Sequence, residues 1–190
     1  MAETYHVVTF AGPFGFIKPW TAVRDDLTYS QTFLTPSTVE GMRQKLGVSA
    51  VLRHRLSHAG LSQQQEQVQS AGFATSGRGA AKVYTRPRAV IDRGFMLSPV
   101  LHLAFATAED AAKAAPQHLC LCRNEDLVYP VESPQELARA AFDRLDGFEL
   151  LFEDGPSSFL VGYNRYAGGA PMRGRLIVVG NPTSAPALNR

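Results

Sequence analysis

Two helix starts, each preceded by a strand-like run, constrain this chain more than any other feature of its sequence. Thr4-Tyr5-His6-Val7-Val8-Thr9-Phe10 is β-branched and aromatic and is closed by Gly12-Pro13, so it reads as a strand. Thr35-Pro36 then precedes Ser37-x-x-Glu40, a spacing that allows a capping box. Val39, Met42 and Leu46 follow at helical spacing, and Gly47 is placed to end the helix. Residues 48–56 alternate, which predicts a strand with Arg53 and Arg55 on one cationic face. Residues 89–106 read as a long strand or bent strand pair broken near Ser98-Pro99. Thr107-Ala108-Glu109-Asp110 then opens a short Ala-rich helix ending by Pro116, with its acids in the first turn where the helix dipole favours them. Strand, helix, strand, insertion, strand, helix is the order of a ferredoxin-like (RRM-like) βαββαβ domain, an α+β fold. Its antiparallel sheet leaves one face free, the face many RNA-binding domains use.

The rest of the chain is less regular. Residues 57–85 are rich in Gln, then Ser and Gly, and predict a mobile insertion that could fold as a hairpin. Ser133-Pro134-Gln135-Glu136 reads as a second capping box, opening a helix to about Asp146 that Gly147 closes. Residues 148–152 and 158–163 predict a hairpin about Asp154-Gly155, residues 176–179 a last strand, and Asn181 onward a loose tail. The expected organisation is one ferredoxin-like domain over 1–132 with a basic insertion at about 57–88. A C-terminal helix-hairpin segment, rich in β structure, packs on it over 133–190. With 190 residues, 45% of them hydrophobic, there is material for a real core. No run of about 18 apolar residues offers a membrane-spanning helix. The N-terminus lacks a basic then apolar leader, and Cys120 and Cys122, one residue apart, fit a reducing, cytoplasmic compartment.

The net charge of +2 hides an asymmetry. Residues 41–93 carry nine basic side chains (Arg43, Lys45, Arg53, Arg55, Arg78, Lys82, Arg86, Arg88, Arg93) against Glu66 and Asp92, a net of +7. Local potential, not total charge, attracts phosphates, so this segment suits a polyanion, though a merely solvated basic surface has the same composition.

Phosphate-loop, dinucleotide, nucleophile-elbow and HExxH signatures are all absent. The loop from Phe14 to Arg24 mixes aromatics, Trp20 among them, with Lys18 and Arg24. Such a loop can stack unpaired bases while its cations take phosphates, and at least one of Phe14, Phe16 and Trp20 is expected to pack under the sheet instead. His54 and His58 lie in the basic region and could hydrogen-bond a phosphate or base. Alternatively, with Tyr29, they could serve as acid and base in metal-independent RNA cleavage. His118, Cys120 and Cys122 would share one face of a strand and so supply part of a zinc shell, but no second motif completes it, and buried thiols are the simpler reading.

Three stretches carry a family likeness. They are Phe10-Ala11-Gly12-Pro13-Phe14-Gly15-Phe16 leading to Thr35-Pro36-Ser37-Thr38-Val39-Glu40-Gly41-Met42 and Leu46-Gly47; Arg93 to Phe105; and His118 to Arg123. In these the chain resembles the fifth CRISPR-associated (Cas) protein family of the RAMP superfamily, found in Cascade-type effector complexes. The resemblance implies a non-catalytic RNA-binding subunit that caps the 5′ handle of crRNA and inserts a basic thumb between guide nucleotides. It also implies docking on the backbone and large subunits of the complex, reaching target DNA through that complex, with no cofactor, metal or membrane. The expected RNA contacts are Lys18, Trp20, Arg24, Ser37, Thr38, Arg43, Lys45, Arg53, His54, Arg55, Arg78, Lys82, Arg86, Arg88 and Arg123, with the helix-start amides at Ser37 and Thr38 taking a phosphate. One branch of that family cleaves precursor crRNA with a tyrosine near the helix start and a Lys-His pair. Tyr29 stands farther from Thr35 than that pattern has it, and no Lys-His dipeptide occurs.

Overall fold

A computed structural model describes residues 4–21, 27–69, 73–86 and 88–184. The first strand, β1 (Thr4–Ala11), is followed by β2 (Phe14–Gly15), β3 (Leu27–Tyr29) and helix α1 (Pro36–Leu46). Next come β4 (Arg53–Ser57), β5 (Gly60–Gln69), β6 (Ala74–Ser76), β7 (Val83–Thr85), β8 (Arg88–Leu97), β9 (Val100–Phe105) and helix α2 (Ala108–Ala114). The chain continues through β10 (Leu119–Cys120), β11 (Leu127–Pro130), β12 (Gln135–Ala138), the short helix α3 (Arg139–Phe142), β13 (Gly147–Leu151), β14 (Phe159–Asn164) and β15 (Ala170–Val179).

The main sheet runs β10-β11-β1-β9-β4-β13-β15-β14, with β12 also on β1 and every pairing antiparallel. Within it, β11-β1-β9-β4 is the ferredoxin-like order, with α1 between β1 and β4 and α2 between β9 and β11. The fold is α+β, as expected. One face of the sheet packs Val8, Phe10, Leu56, Leu101, Leu103 and Phe105 against Val39, Met42 and Leu46 of α1 and Ala111 and Ala114 of α2. Alternation along the central strands decides which residues enter this core.

Helix α1 starts two residues earlier than the Ser37 capping box requires. Thr35 is the N-cap, its hydroxyl accepting the Thr38 amide at 3.3 Å, and Pro36 opens the first turn where its missing N–H costs nothing. Glu40 is thereby free to pair with Arg43 and Gln44. At the other end Gly47, at φ 67°, adopts the left-handed conformation that terminates helices.

The second sheet is built on a long hairpin. β5 and β8 pair over ten residues from Gly60↔Leu97 to Gln69↔Arg88, and β2 and β3 flank the other edge of β8. The hairpin carries the small β6–β7 pair towards its tip.

Two expectations for the C-terminal third are corrected. The residues after Ser133 do not continue as a helix to Asp146: β12 pairs Gln135–Ala138 with Val7–Thr4, and only the single turn of α3 follows. Unpaired backbone groups on the edge of a central strand outweigh a local capping signal. Residues 148–152 and 158–163 do not pair with each other. The ten-residue β15 lies between them, with Arg175–Val179 on β13 and Ala170–Gly174 on β14. The second face of the central sheet is also not fully open, because Leu137, Phe142 and Leu145 cover Tyr5, Val7 and Ala104.

Candidate nucleic-acid interface

A cleft of about 520 Å³ opens along α1. Helical spacing places Ser37, Thr38, Gly41 and Lys45 on one face of the helix, and that face forms one wall. Residues 118–122, beside β10, form another, Lys18 reaches in from the segment after β2, and Arg165 and Tyr166 close the rim from the β14–β15 turn. No carboxylate lines the cleft among the described residues, and neither Lys18 nor Lys45 forms an ion pair there. The rim is pinned. The Tyr166 amide donates to Asn164 Oδ1 at 2.9 Å, Arg165 Nη2 donates to the Tyr166 hydroxyl at 3.0 Å, and the guanidinium lies 4.9 Å from that ring centre. Gly41 makes room for this turn, since a Cβ there would come within 3.2 Å of Arg165 Nη2 and 3.3 Å of Tyr166 Oη.

Two further exposed aromatics come from the segments that supply Lys18 and Arg165. Trp20 and Tyr163 meet edge to face at 5.7 Å and are 46% and 57% exposed. Of the loop aromatics, Phe16 is the one that packs inward, beneath the guanidinium groups of Arg93 and Arg123. At the arm tip, Phe73 and Tyr84 form a second exposed pair at 6.5 Å. Arg86 lies over Phe73 at 5.4 Å and Lys82 over Tyr84 at 5.2 Å. Arg78 and Arg88 are exposed on the same arm.

Other expected contacts are committed to the fold. Arg43 makes a two-pronged pair with Glu40 and donates to the Val48 carbonyl. Arg53 and Arg55, expected on an open cationic strand face, share buried Glu149. Arg53 reaches it through Nε and Nη2, Arg55 through Nη2 at 3.1 Å, and both guanidinium groups lie by the Phe142 ring. The carboxylate raises the pKa of Arg53, whereas burial outweighs it at Arg55 and lowers that one. Both stay charged, because guanidinium starts so high. Arg123 clasps buried Asp126 with two parallel hydrogen bonds of 2.9 and 2.8 Å. The +7 segment therefore presents less free charge than its composition promises, because Arg43, Arg53, Arg55 and Arg93 are paired within the chain.

His54 is buried, and its Nε2 faces the amides of Leu34 and Leu150 at 3.4 and 3.3 Å. Burial, helped by the charges of Arg55 and Arg53, pushes its pKa down to about 3. His58 is buried against Phe148, with burial lowering its pKa, and Tyr29 is exposed on β3 with its hydroxyl accepting from Gln63. No contact joins these three among the described residues. Arg24 lies outside the described residues. The Thr38 amide, expected to take a phosphate, is spent on the Thr35 cap.

His118, Cys120 and Cys122 do not form the expected strand face, since β10 ends at Cys120. The Cys120 thiol donates to the Arg123 carbonyl at 2.6 Å, and burial followed by the Asp126 charge raises its pKa, so it remains a thiol. Among the described residues no three His, Cys, Asp or Glu side chains gather as a metal site would require.

Tyr163, Arg165, Tyr166, Phe73 and Tyr84 escaped the sequence reading. Tyr163-Asn164-Arg165-Tyr166 carries the same aromatic-cation mixture that marked the Phe14–Arg24 loop, in a turn ending at Gly168-Gly169.

Sheet order and helix placement define a ferredoxin-like α+β protein with an inserted arm and an extended C-terminal sheet. Among solved structures it is similar to a chain titled "CRISPR RNA-guided surveillance complex", at 11% identity and a TM-score of 0.54, over 94% of this chain and 91% of that one. At that identity the likeness speaks for the fold. No family model matches the sequence, and a search of curated proteins finds no significant match.

Proposed function

We propose that this chain is a non-catalytic RNA-binding subunit of a CRISPR effector complex, of the fifth Cas family type, and that it caps the 5′ handle of crRNA. The observation that carries this reading is a cleft lined by no described carboxylate, with Lys18, Lys45, Arg165 and the Tyr166 ring on its walls, together with the exposed edge-to-face pair of Trp20 and Tyr163. Ammonium and guanidinium groups spaced along a groove neutralise successive phosphates, and exposed rings accept unpaired bases whatever their sequence. The arm tip offers the same pairing of ring and cation at a second place, suited to wedging between nucleotides of the guide. The fold-level likeness to a chain of an RNA-guided surveillance complex agrees with this assignment.

The test is photocrosslinking of a repeat-derived RNA carrying 4-thiouridine, with adducts mapped by mass spectrometry. The proposal expects adducts at Trp20, Tyr163 or Tyr166 and at Phe73 or Tyr84. Adducts confined to other surfaces would overturn it.

A further inference from the structure

On the opposite face of the sheet from α1 lies a separate cavity of about 420 Å³, between β1, β9 and the segment leading into β12. Its walls are Val7, Leu137 and Leu145, and its polar end is Thr9, His102, Glu132 and Gln135. The hydrogen bonds fix what that end can still offer. The Thr9 hydroxyl donates its only proton to Glu132 Oε1 at 3.0 Å, so its 3.0 Å contact with His102 Nδ1 must be received from an Nδ1–H. His102 is then the Nδ1–H tautomer and carries a lone pair on Nε2. Burial, followed by the charge of Arg55, pushes its pKa down to about 4, so the ring is neutral at pH 7. Gln135 Nε2 donates one proton to Glu132 Oε2 at 2.7 Å, leaving its amide oxygen and a second N–H. What remains is mostly acceptors, an imidazole nitrogen, a carboxylate and an amide oxygen, against the one Gln135 N–H not given to Glu132. The set bears one negative charge, and no cation lines the cavity among the described residues.

We propose that this cavity takes the guanidinium head of an arginine presented by a neighbouring protein chain. A guanidinium has five donors and no acceptor, and its planar faces and methylene stem suit apolar walls such as Val7, Leu137 and Leu145. A nucleobase would mix donors with acceptors and bring a phosphate towards Glu132. Free arginine would bring a carboxylate for which the cavity holds no cation. An arginine within a peptide brings neither. The inference rests on this cavity alone and is independent of the RNA reading.

The experiment titrates the full chain with N-acetyl-arginine methylamide, free arginine and guanosine monophosphate, following the His102 ring and the Leu137 and Leu145 methyl signals by NMR. The capped arginine should shift all three saturably and bind more tightly than either competitor. Glu132→Gln removes the charge and turns one of the two accepting oxygens into an NH2 donor, so one of the two hydrogen bonds from Thr9 and Gln135 can be kept, and it should weaken the capped arginine by about tenfold or more. Gln135→Leu, at an exposed position, gives a second variant whose fold is not in question, and it should also weaken binding. Equal or tighter binding of free arginine or guanosine monophosphate, no saturable shift, or indifference to both substitutions would each overturn the proposal. RNA affinity, measured on the same variants, should not change.

Discussion

At the scale of single residues, burial sets the charge of two histidines in the central sheet. His54 and His102 sit on adjacent strands, β4 and β9, and both are held neutral, His54 at about 3 and His102 at about 4. In the unfolded chain each takes a proton near 6.5. The folded form refuses those protons, so the stability is complete above pH 6.5 and is lost as the pH falls towards 4. Between pH 7 and pH 5 each histidine should cost about 2 kcal/mol of unfolding free energy. Urea unfolding at the two pH values measures this, and His54→Gln, which keeps an acceptor for the Leu34 and Leu150 amides, should remove about half of the difference. An unfolding midpoint that does not move with pH would contradict the assignment. The sequence offered His54 as an RNA contact or an acid-base group because it lies in the basic region, between Arg53 and Arg55. Only the tertiary neighbours Glu149, Asp143 and Phe142 reveal that this segment faces inward on both sides.

At the scale of elements, local signals were legible and pairings across distance were not. Helix α1 could be read from Thr35-Pro36 and Gly47, and α2 from Thr107, because caps act within four residues. The break at Ser98-Pro99 likewise separates β8 from β9. The insertion of β15 between β13 and β14 could not be read, because nothing in residues 147–164 encodes a partner that arrives later in the chain. β12 shows the same conflict in miniature. The arm is the element whose role can be isolated, since its tip is exposed and packs on no core cluster. Reversing Arg78, Lys82 and Arg88 to glutamate should leave stability within about 0.5 kcal/mol, as exposed substitutions usually do. It should also lower affinity for repeat RNA by about tenfold or more by removing phosphate-neutralising charge. Thermal unfolding and fluorescence anisotropy on the same preparation separate the two effects. Full affinity in the reversed arm would exclude it from the interface.

At the scale of the whole molecule, the ferredoxin-like core acts as a mount. Its helical face carries the basic cleft, its insertion carries the cation-capped aromatic tip, and its other face carries the acceptor-rich cavity. The candidate site was partly visible in the sequence: Lys18, Ser37, Thr38 and Lys45 do converge on the cleft. The C-terminal β14–β15 turn completes that cleft from more than a hundred residues away, beyond the reach of any local pattern. The most direct test of the central claim is the salt dependence of RNA binding by the unmodified chain and by the combined Lys18→Glu, Lys45→Glu, Arg165→Glu variant. Each phosphate neutralised on a single strand contributes about 0.7 to the slope of log affinity against log salt, so losing three contacts should flatten the slope by about 2. A slope near zero for the unmodified chain, or an identical slope for the variant, would contradict the account.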